Sequence, residues 1–295
     1  MEVVETIEAM RQARRAFGRV GLVPTMGFLH TGHLALIRRA HAECEQVVVS
    51  VFVNPTQFAP HEDFESYPRN MDRDLALLAG EGVDLVFTPA SSTMYPSGYN
   101  TFVDVYGVTD TLEGAARPGF FRGVATVVCK LFTIVQPDRA YFGQKDAQQT
   151  VVVRKMVRDL NLPLEVVVCP TVREADGLAM SSRNAYLNAT ERQAAPVLYR
   201  ALTAAQQQYL AGERDAGTLR DTMQQVLAHE PLAQPEYVSV ADLHTLQELA
   251  WVGDSGALLS MAVRVGPTRL IDNIMLDTSR AGQVRVPHPG RQAPW

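Results

Sequence analysis

The sequence predicts an α/β protein of two domains: a Rossmann-like, doubly wound parallel-sheet domain over residues 1–171, followed by a smaller α+β C-terminal domain over residues 172–295. Three observations support this prediction. A chain of 295 residues is long for a single hydrophobic core. Short apolar runs alternate with amphipathic stretches of helical length up to Pro170. Beyond Pro170 the alternation stops, and helical stretches come before strand-like ones.

The predicted parallel sheet has five strands, each an apolar or β-branched run closed by a turn residue. The runs are Val20–Pro24, Val47–Val53, Val83–Thr88, Arg139–Phe142 and Leu164–Cys169. Predicted helices precede and separate them at Thr6–Arg15, His33–Cys44, Met71–Glu81, Gly123–Val135 and Asp146–Leu160. Because such sheets bind ligands at the carboxyl ends of their strands, the loops after these runs are the predicted site.

The second domain is predicted from two helical stretches that are followed by three strand-like ones. These are Ala189–Ala211, Ala216–His229, Tyr237–Ala241, Ala257–Val265 and Thr268–Met275. The tail from Gln283 contains several prolines, and we expect it to be irregular.

Composition and charge exclude several classes of protein. Hydrophobic residues make up 46% of the chain and charged residues 20%, with a mean hydropathy of −0.05, as in a folded globular protein. The net charge of −5 gives no general attraction to nucleic acid or to an anionic membrane. No apolar stretch reaches the roughly 18–20 residues of a membrane span, and Glu2, Glu5 and Glu8 lie where a signal peptide would be apolar. We therefore expect a cytoplasmic protein that binds neither nucleic acid nor membrane.

The three cysteines follow no recognisable pattern. Cys44, Cys129 and Cys169 are widely spaced, and each has apolar neighbours. An odd number without a Cys-x-x-Cys pair builds neither a disulfide framework nor a zinc knuckle. We predict three reduced thiols in the core.

The most informative motif follows the first predicted strand. The chain has neither the GxxxxGK[ST] nor the GxGxxG phosphate-binding motif, and instead has Pro-Thr-Met-Gly-Phe-Leu-His-Thr-Gly-His at residues 24–33. His30 lies in the loop and His33 at the start of a helix, with Gly32 between them. Two neutral imidazoles and a helix N-terminus would converge there on one anion, with Gly32 letting a phosphate approach the backbone. A pair of structural hydrogen-bonding histidines, or of metal ligands, is the alternative.

Two further polar clusters follow later strands. Residues 141–149, Tyr-Phe-Gly-Gln-Lys-Asp-Ala-Gln-Gln, place Lys145 and Asp146 where they would contact a phosphate and ribose hydroxyls. Residues 180–184, Met-Ser-Ser-Arg-Asn, offer two hydroxyls, a guanidinium and an amide to an anion. Taken singly, the first cluster is also explained as a solvated helix cap and the second as a surface turn.

Together these motifs resemble those of a known enzyme family. The His-x-Gly-His and Met-Ser-Ser-Arg-Asn segments are similar to the HIGH and KMSKS elements of class I aminoacyl-tRNA synthetases and nucleotidylyltransferases. More narrowly, four segments resemble in the same order the pantoate-β-alanine ligase family, and residues 269–277 resemble that family's C-terminal strand. The four segments are residues 24–33, 51–69, 141–150 and 177–187.

The resemblance implies an ATP-dependent condensation of pantoate with β-alanine to pantothenate. The reaction would pass through an enzyme-bound pantoyl adenylate and release pyrophosphate and then AMP. ATP would be a substrate, Mg²⁺ a cofactor, and the protein a homodimer with small-molecule substrates as its other partners. Such an enzyme must mainly hold two anions in line and stabilise charge on the phosphate oxygens.

The resemblance also implies roles for three sets of residues and for one metal ligand, Asp74. The catalytic set is His30, His33, Lys145 and Arg183. The set that binds pantoate or β-alanine is Gln57, Gln149 and Arg117. The ATP-binding set is Pro24, Met26, His33, Gly143, Lys145, Asp146, Val172, Met180, Ser181, Ser182 and Arg183.

The chain departs from the family pattern at Phe120, which stands where a His is usual, so the role of that His is lost or replaced here. We expect the polar segment Arg173–Asn184 to close over a bound nucleotide as a lid. Two other functions stay open. A sister cytidylyl- or adenylyltransferase would not need the Val-Asn-Pro-Thr-Gln-Phe and Gln-Lys-Asp-Ala-Gln-Gln segments. A catalytically inactive nucleotide sensor would be expected to have lost some of the His, Lys or Ser positions.

Overall fold

The computed structural model describes residues 1–60 and 62–276, and its largest feature is a parallel sheet of six strands. The strands are β1 Glu2–Val4, β2 Val20–Thr25, β3 Gln46–Val51, β4 Leu85–Phe87, β5 Arg139–Gly143 and β6 Glu165–Cys169. They lie in the order β1-β4-β3-β2-β5-β6, and all neighbours are parallel. The predicted fold is confirmed with one strand more than expected, because the three-residue β1 is too short to show a periodicity.

Helices cover both faces of this sheet. They are α1 Ile7–Arg14, α2 Thr31–Glu43, α3 Met71–Gly80, α4 Ser91–Met94, α5 Leu112–Ala116, α6 Phe120–Val135 and α7 Ala147–Asp159. Successive residues of β2 enter different cores: Leu22 packs with residues of α6 and α7, and Val23 with residues of α2 and α3. The sheet is therefore doubly wound. The short helices α4 and α5 were not predicted.

The strand order changes direction at β2. The chain places β3 and β4 on one side of β2, and β5 and β6 on the other. Ligands of open α/β sheets bind at such a switch point. The His-x-Gly-His loop follows β2, and the turn that carries Lys145 follows β5, so the fold brings these two motifs together.

The second part of the chain has the expected α+β arrangement. It consists of α8 Ala189–Ala194, α9 Val197–Leu210, α10 Ala216–Ala228, and the strands β7 Ala233–Ala241, β8 Ala257–Val265 and β9 Thr268–Leu276. The three strands form an antiparallel sheet that shares a core with α9 and α10. The single helix predicted over residues 189–211 is wrong, because Pro196 lacks an N–H and separates α8 from α9. This core begins at Leu178, and the predicted domain boundary after residue 171 stays a prediction.

All three cysteines are free thiols, of which Cys169 is buried while Cys44 and Cys129 are partly buried. A fully buried core position was thus predicted correctly only for Cys169. Within the described part of the chain, no helix is both long and apolar enough to cross a bilayer. The predicted irregular tail from Gln283 lies outside the described residues.

Candidate active site

A cavity of about 980 Å³ lies at the carboxyl edge of the parallel sheet and reaches the antiparallel sheet. Nearly every residue that the sequence assigned to the site lines this cavity. These residues are Pro24, Met26, His30, His33, Gln57, Arg117, Gly143, Lys145, Asp146, Gln149, Val172, Met180, Ser181, Ser182 and Arg183. Asp74 is the exception.

His30 and His33 are fixed by the start of α2. His30 is the N-cap residue, and its Nδ1 accepts a hydrogen bond from the Gly32 N–H at 3.1 Å. The Nδ1 of His33 accepts from the His30 N–H at 3.3 Å, and the two ring centroids are 4.0 Å apart. Because both Nδ1 atoms accept, the proton of each neutral ring is on Nε2, which leaves each histidine one N–H donor for a ligand.

Both imidazoles are neutral near pH 7. Burial, assisted by the positive charge of Lys145, lowers the pKa of His30 to about 4. Burial, with His30 and Lys145 nearby, lowers the pKa of His33 well below its usual value. This geometry matches the pair of neutral donors at a helix N-terminus that the motif suggests. Gly32 is required for a further reason, since a Cβ there would lie 2.8 Å from Cε1 of His30.

Asp74 holds the loop that leads to these histidines. Its buried carboxylate, in the first turn of α3, accepts from the Phe28 N–H at 2.7 Å and from the Leu29 N–H at 2.8 Å. Phe28 has a φ of +50°, which is strained for a bulky side chain and is stabilised by these bonds. The resemblance made Asp74 a magnesium ligand, but both of its oxygens bind backbone N–H groups outside the cavity wall. The geometry therefore favours a structural role.

Lys145 lies in a 3-10 turn, Gln144–Asp146, between β5 and α7. Its ammonium group is 3.5 Å from the Asp146 carboxylate, and its side chain is 20% exposed. The Nδ2 of Asn273, on β9, donates to the carbonyl oxygens of Gln144 and Lys145 at 2.9 and 2.8 Å. The turn that carries the Lys145 ammonium group is thus held in place by a residue of the antiparallel sheet.

The segment that carries Ser181, Ser182 and Arg183 is tied to the rest of the site through its side chains. The Ser182 hydroxyl donates to the Phe28 carbonyl oxygen at 3.2 Å, which joins this segment to the histidine loop. Arg183 donates to both oxygens of Asp63 at 3.1 and 3.0 Å. Burial opposes the charge of Arg183, yet Asp63 leaves the pKa of the guanidinium above its usual value. The pairing with Asp63 uses Nε and Nη2 of Arg183, so the Nη1 group is the part of the guanidinium that does not bind this carboxylate.

Arg117 has an acidic partner in the same way. It donates twice to Glu62, with both distances at 2.7 Å, and its guanidinium stacks 3.7 Å from the centre of the Phe120 ring. Burial raises the pKa of Glu62, but the hydrogen bonds and charge of Arg117 leave it below the usual value. Phe120 therefore supports Arg117 by stacking.

Gln57 and Gln149 both line the cavity. Oε1 of Gln57 accepts from Nδ2 of Asn54 at 3.1 Å, while its NH₂ group lies 3.0 Å from the Met26 sulfur. Because sulfur is a weak acceptor, this NH₂ group can exchange it for a carboxylate. The neighbouring Gln148 also lines the cavity but is only 5% exposed, and its Nε2 donates to two backbone carbonyls at 2.9 Å. The periodicity of the sequence did not separate Gln148 from Gln149.

Four polar residues of the cavity wall that bear on the site were not singled out from the sequence. They are Glu62, Asp63, Tyr67 and Asn273. The two acids are adjacent in a segment that already resembled the family, which was an available signal. Asn273 lies in the matching C-terminal strand, but an isolated asparagine in a strand shows nothing of the backbone that it binds.

The described residues contain no group of three or more His, Cys, Asp or Glu side chains that could hold a metal ion. Glu62 and Asp63 in the cavity wall are already paired with arginines. Asp146, whose side chain is 44% exposed, is a carboxylate of the wall that a ligand can reach. Mg²⁺ in nucleotide enzymes binds mostly to phosphate oxygens and water, with one or two carboxylates. The site therefore fits an ion that is bound together with a nucleotide.

The fold and site define a class. A parallel sheet whose switch point carries a His-x-Gly-His helix N-terminus, a lysine turn and a Ser-Ser-Arg segment is that of a HIGH-motif nucleotidylyltransferase. A sequence profile of the pantoate-beta-alanine ligase family matches residues 2–275, and the chain belongs to this family.

Individual relatives agree with this membership. The chain is 65% identical over 276 residues to the pantothenate synthetase of Chloroflexus aggregans and 62% identical over 276 residues to that of Herpetosiphon aurantiacus, covering 94% of this chain and 100% of each relative. It is similar to the crystal structure of pantothenate synthetase from Thermus thermophilus, with a TM-score of 0.90, 49% identity and coverage of 94% and 100%. It is also similar to the pantoate-beta-alanine ligase of Francisella tularensis complexed with beta-gamma ATP and beta-alanine, with a TM-score of 0.77, 33% identity and coverage of 93% and 97%.

Proposed function

We propose that this chain condenses pantoate with β-alanine at the expense of ATP, through an enzyme-bound pantoyl adenylate. One observation carries the proposal: two neutral histidine donors, Lys145, and the amides of Gln57 and Gln149 line the same cavity. The first three suit a phosphate that gains charge, and the amides suit a small acid with hydroxyl groups. The ATP and β-alanine named for the Francisella relative support the choice of ligands.

In the first step, a carboxylate oxygen of pantoate attacks the α-phosphorus of ATP, and pyrophosphate leaves. Negative charge builds on the phosphate oxygens during this displacement. The Nε2–H groups of His30 and His33 and the ammonium group of Lys145 stabilise that charge, because they are already in place before it develops. Arg183, with Ser181 and Ser182, holds the triphosphate tail.

In the second step, the β-alanine amine attacks the acyl carbon of the adenylate. The bond between that carbon and the bridging oxygen breaks, so AMP leaves with an oxygen that came from pantoate, and the amine loses its extra proton. No bond to the enzyme forms. Lys145 serves both steps, since charge returns to the same phosphate when AMP departs.

Binding of the remaining groups follows from the cavity wall. The amides of Gln57 and Gln149 donate to the pantoate carboxylate and accept from its hydroxyls, and Arg117 binds a substrate carboxylate once Glu62 releases it. Gly143 and Asp146 contact the ribose of ATP. The remaining nucleotide-pocket residues are Pro24, Met26, Val172 and Met180.

In this proposal Mg²⁺ would be bound together with ATP, and Asp146 is the exposed carboxylate of the cavity wall that would hold it. When bound, Mg²⁺ would neutralise negative charge on the phosphate oxygens. The protein's own contribution is to orient the triphosphate through Arg183 and the two serines.

We also propose that the protein is a cytoplasmic homodimer, and that residues 173–184 close over a bound nucleotide as a lid. Phe102 and Tyr106, which are 39% and 75% exposed in one stretch of chain, support a protein contact there. Residues 173–184 are the expected lid, although Arg173 is anchored to Asp272 at 2.7 and 2.9 Å, so movement would fall on the later part of the segment. Amide exchange in this segment that does not change when ATP is added would refute the lid.

The function is tested by incubating the protein with ATP and pantoate, with and without β-alanine, while pyrophosphate and AMP are measured separately. Without β-alanine, we expect one burst of pyrophosphate and little AMP. With β-alanine, both products should appear continuously. A sister nucleotidylyltransferase would release pyrophosphate only with a different acceptor, and an inactive nucleotide sensor would release neither product.

A further inference from the structure

The turn that carries Lys145 is held by a residue from the far end of the chain. Asn273 follows Lys145 by 128 residues and is 3% exposed. Its Nδ2 donates to two consecutive carbonyl oxygens of the turn, those of Gln144 and Lys145, at 2.9 and 2.8 Å. Its Oδ1 accepts from the Gln144 side-chain amide at 3.4 Å. One buried amide thus uses its polar atoms on a single turn.

Asn273 is itself fixed in place. Its N–H donates to Oδ1 of Asp272 at 2.7 Å, and its carbonyl oxygen accepts from Arg173 at 3.2 Å. Arg173 also makes the bidentate pair with Asp272. A buried network in which these polar groups are hydrogen-bonded is rigid. The position of β9 therefore fixes the position of the turn.

We propose that Asn273 is a positioning residue for adenylation, which sets where the Lys145 ammonium group stands relative to His30 and His33. The antiparallel sheet then completes the charge-stabilising site of the parallel sheet. The inference rests on the proposed function. Asn273 acts through the turn because both of its N–H donors are used there. A misplacement of about 1 Å at a reacting centre can cost about a hundredfold in rate.

Two substitutions remove the contact in different ways. Asn273→Ala deletes both donors, and Asn273→Asp keeps the shape but turns a carboxylate oxygen toward the two carbonyls. The matched control is Ser239→Ala: Ser239 lies on β7 opposite Ser260 of β8, outside the cavity wall, and has a buried hydroxyl with no hydrogen-bond partner among the described residues. We expect pantoate-dependent exchange of pyrophosphate into ATP to fall about ten- to a hundredfold in both Asn273 variants, with the KM for pantoate changed by less than about twofold. The Ser239→Ala variant should keep the wild-type rate.

A double-mutant cycle separates positioning from general damage. In a Lys145→Ala background, Asn273→Ala should cost less than about twofold, because the group that it positions is gone. Equal losses with and without Lys145 would mean that Asn273 acts elsewhere, and would overturn the inference. If Asn273→Ala melts too early to assay, Asn273→Ser measured well below its melting midpoint replaces it.

A readout without catalysis accompanies the cycle. Amide hydrogen exchange should rise at residues 144–147 in the Asn273 variants and stay unchanged at residues 26–33. Two results would refute the positioning role. One is unchanged amide exchange at residues 144–147 in the Asn273 variants, and the other is an unchanged rate of pyrophosphate exchange in these variants when the wild-type protein is active. A wild-type protein that shows no pantoate-dependent exchange would instead refute the proposed function, while amide exchange would still report whether Asn273 fixes the turn.

Discussion

The histidine loop and the lysine turn lie side by side at the switch point of the sheet, yet they are held in different ways. The loop before His30 is held by Asp74 of α3, which is 45 residues from its partner Leu29, and by the Ser182 hydroxyl, which donates to the Phe28 carbonyl oxygen. The turn of Lys145 is fixed by Asn273, 128 residues further along the chain. The position of the histidine loop therefore depends mainly on residues of the parallel-sheet part of the chain, whereas the position of the lysine turn depends on contact with the antiparallel sheet.

Removing a histidine donor should have the largest effect. His33→Ala deletes a fixed N–H donor to the developing charge, and such losses cost about 2–4 kcal/mol of transition-state stabilisation. Pantoate-dependent pyrophosphate exchange should slow accordingly. The control is His229→Ala, since His229 is exposed on the C-cap of α10. An exchange rate near that of the wild type in His33→Ala would remove the histidine from the proposed chemistry.

Asp74→Ala should loosen the histidine loop and leave the lysine turn alone. The substitution leaves two N–H groups of a strained loop without their acceptor, which costs about 1–3 kcal/mol in the free energy of unfolding. Amide exchange should rise at residues 27–30 but not at residues 144–147. Asp72→Ala, an exposed acid of the same helix turn, is the control. Wild-type stability together with a raised Mg²⁺ requirement would restore the metal-ligand role instead.

Gln57 and Gln149 extend the comparison of the histidine loop with the lysine turn to the binding of pantoate. Gln57 follows β3, and Gln149 follows the lysine turn. Gln57→Ala and Gln149→Ala should each raise the KM for pantoate by about tenfold and that for ATP much less, as expected when polar groups of a substrate lose their partners. Gln148→Ala should lower stability instead, because its amide bonds to backbone carbonyls. A rise confined to the KM for ATP would exclude both glutamines from the acid pocket.

The pH dependence of the free energy of unfolding should test the lowered pKa of His30. The pKa of His30 falls from 6.5 to about 4 on folding, so between these values the unfolded chain binds a proton that the folded chain does not. Stability therefore decreases as the pH falls through this window, by about 1.4 kcal/mol per pH unit for each such histidine. His30→Asn retains an N-cap acceptor and should flatten the slope by about that amount. An unchanged slope, measured by denaturant unfolding between pH 6.5 and 4, would contradict the lowered pKa.

The sequence predicted the parallel sheet because strand periodicity and turn chemistry are local signals, and the family resemblance supplied site residues of which all but Asp74 line the cavity. A role that depends on a distant partner left no such local signal. The motif containing Asp74 showed a carboxylate near a nucleotide site, but not that Phe28 and Leu29 would use both of its oxygens. In the sequence, Asn273 looks like any polar residue of a strand. Its role follows only from the packing of β9 against the lysine turn. Pro196, by contrast, was a local signal for a helix break, and the prediction of one helix over residues 189–211 did not use it.

The adenylate is tested most directly by transfer of heavy oxygen. Pantoate labelled with heavy oxygen in its carboxylate is turned over with ATP and β-alanine, and the AMP, pyrophosphate and inorganic phosphate are analysed by mass spectrometry. If the carboxylate attacks the α-phosphorus, each AMP should carry one labelled oxygen and pyrophosphate should carry none. Label in inorganic phosphate with ADP as the nucleotide product, or unlabelled AMP, would contradict an adenylate formed at the paired histidines.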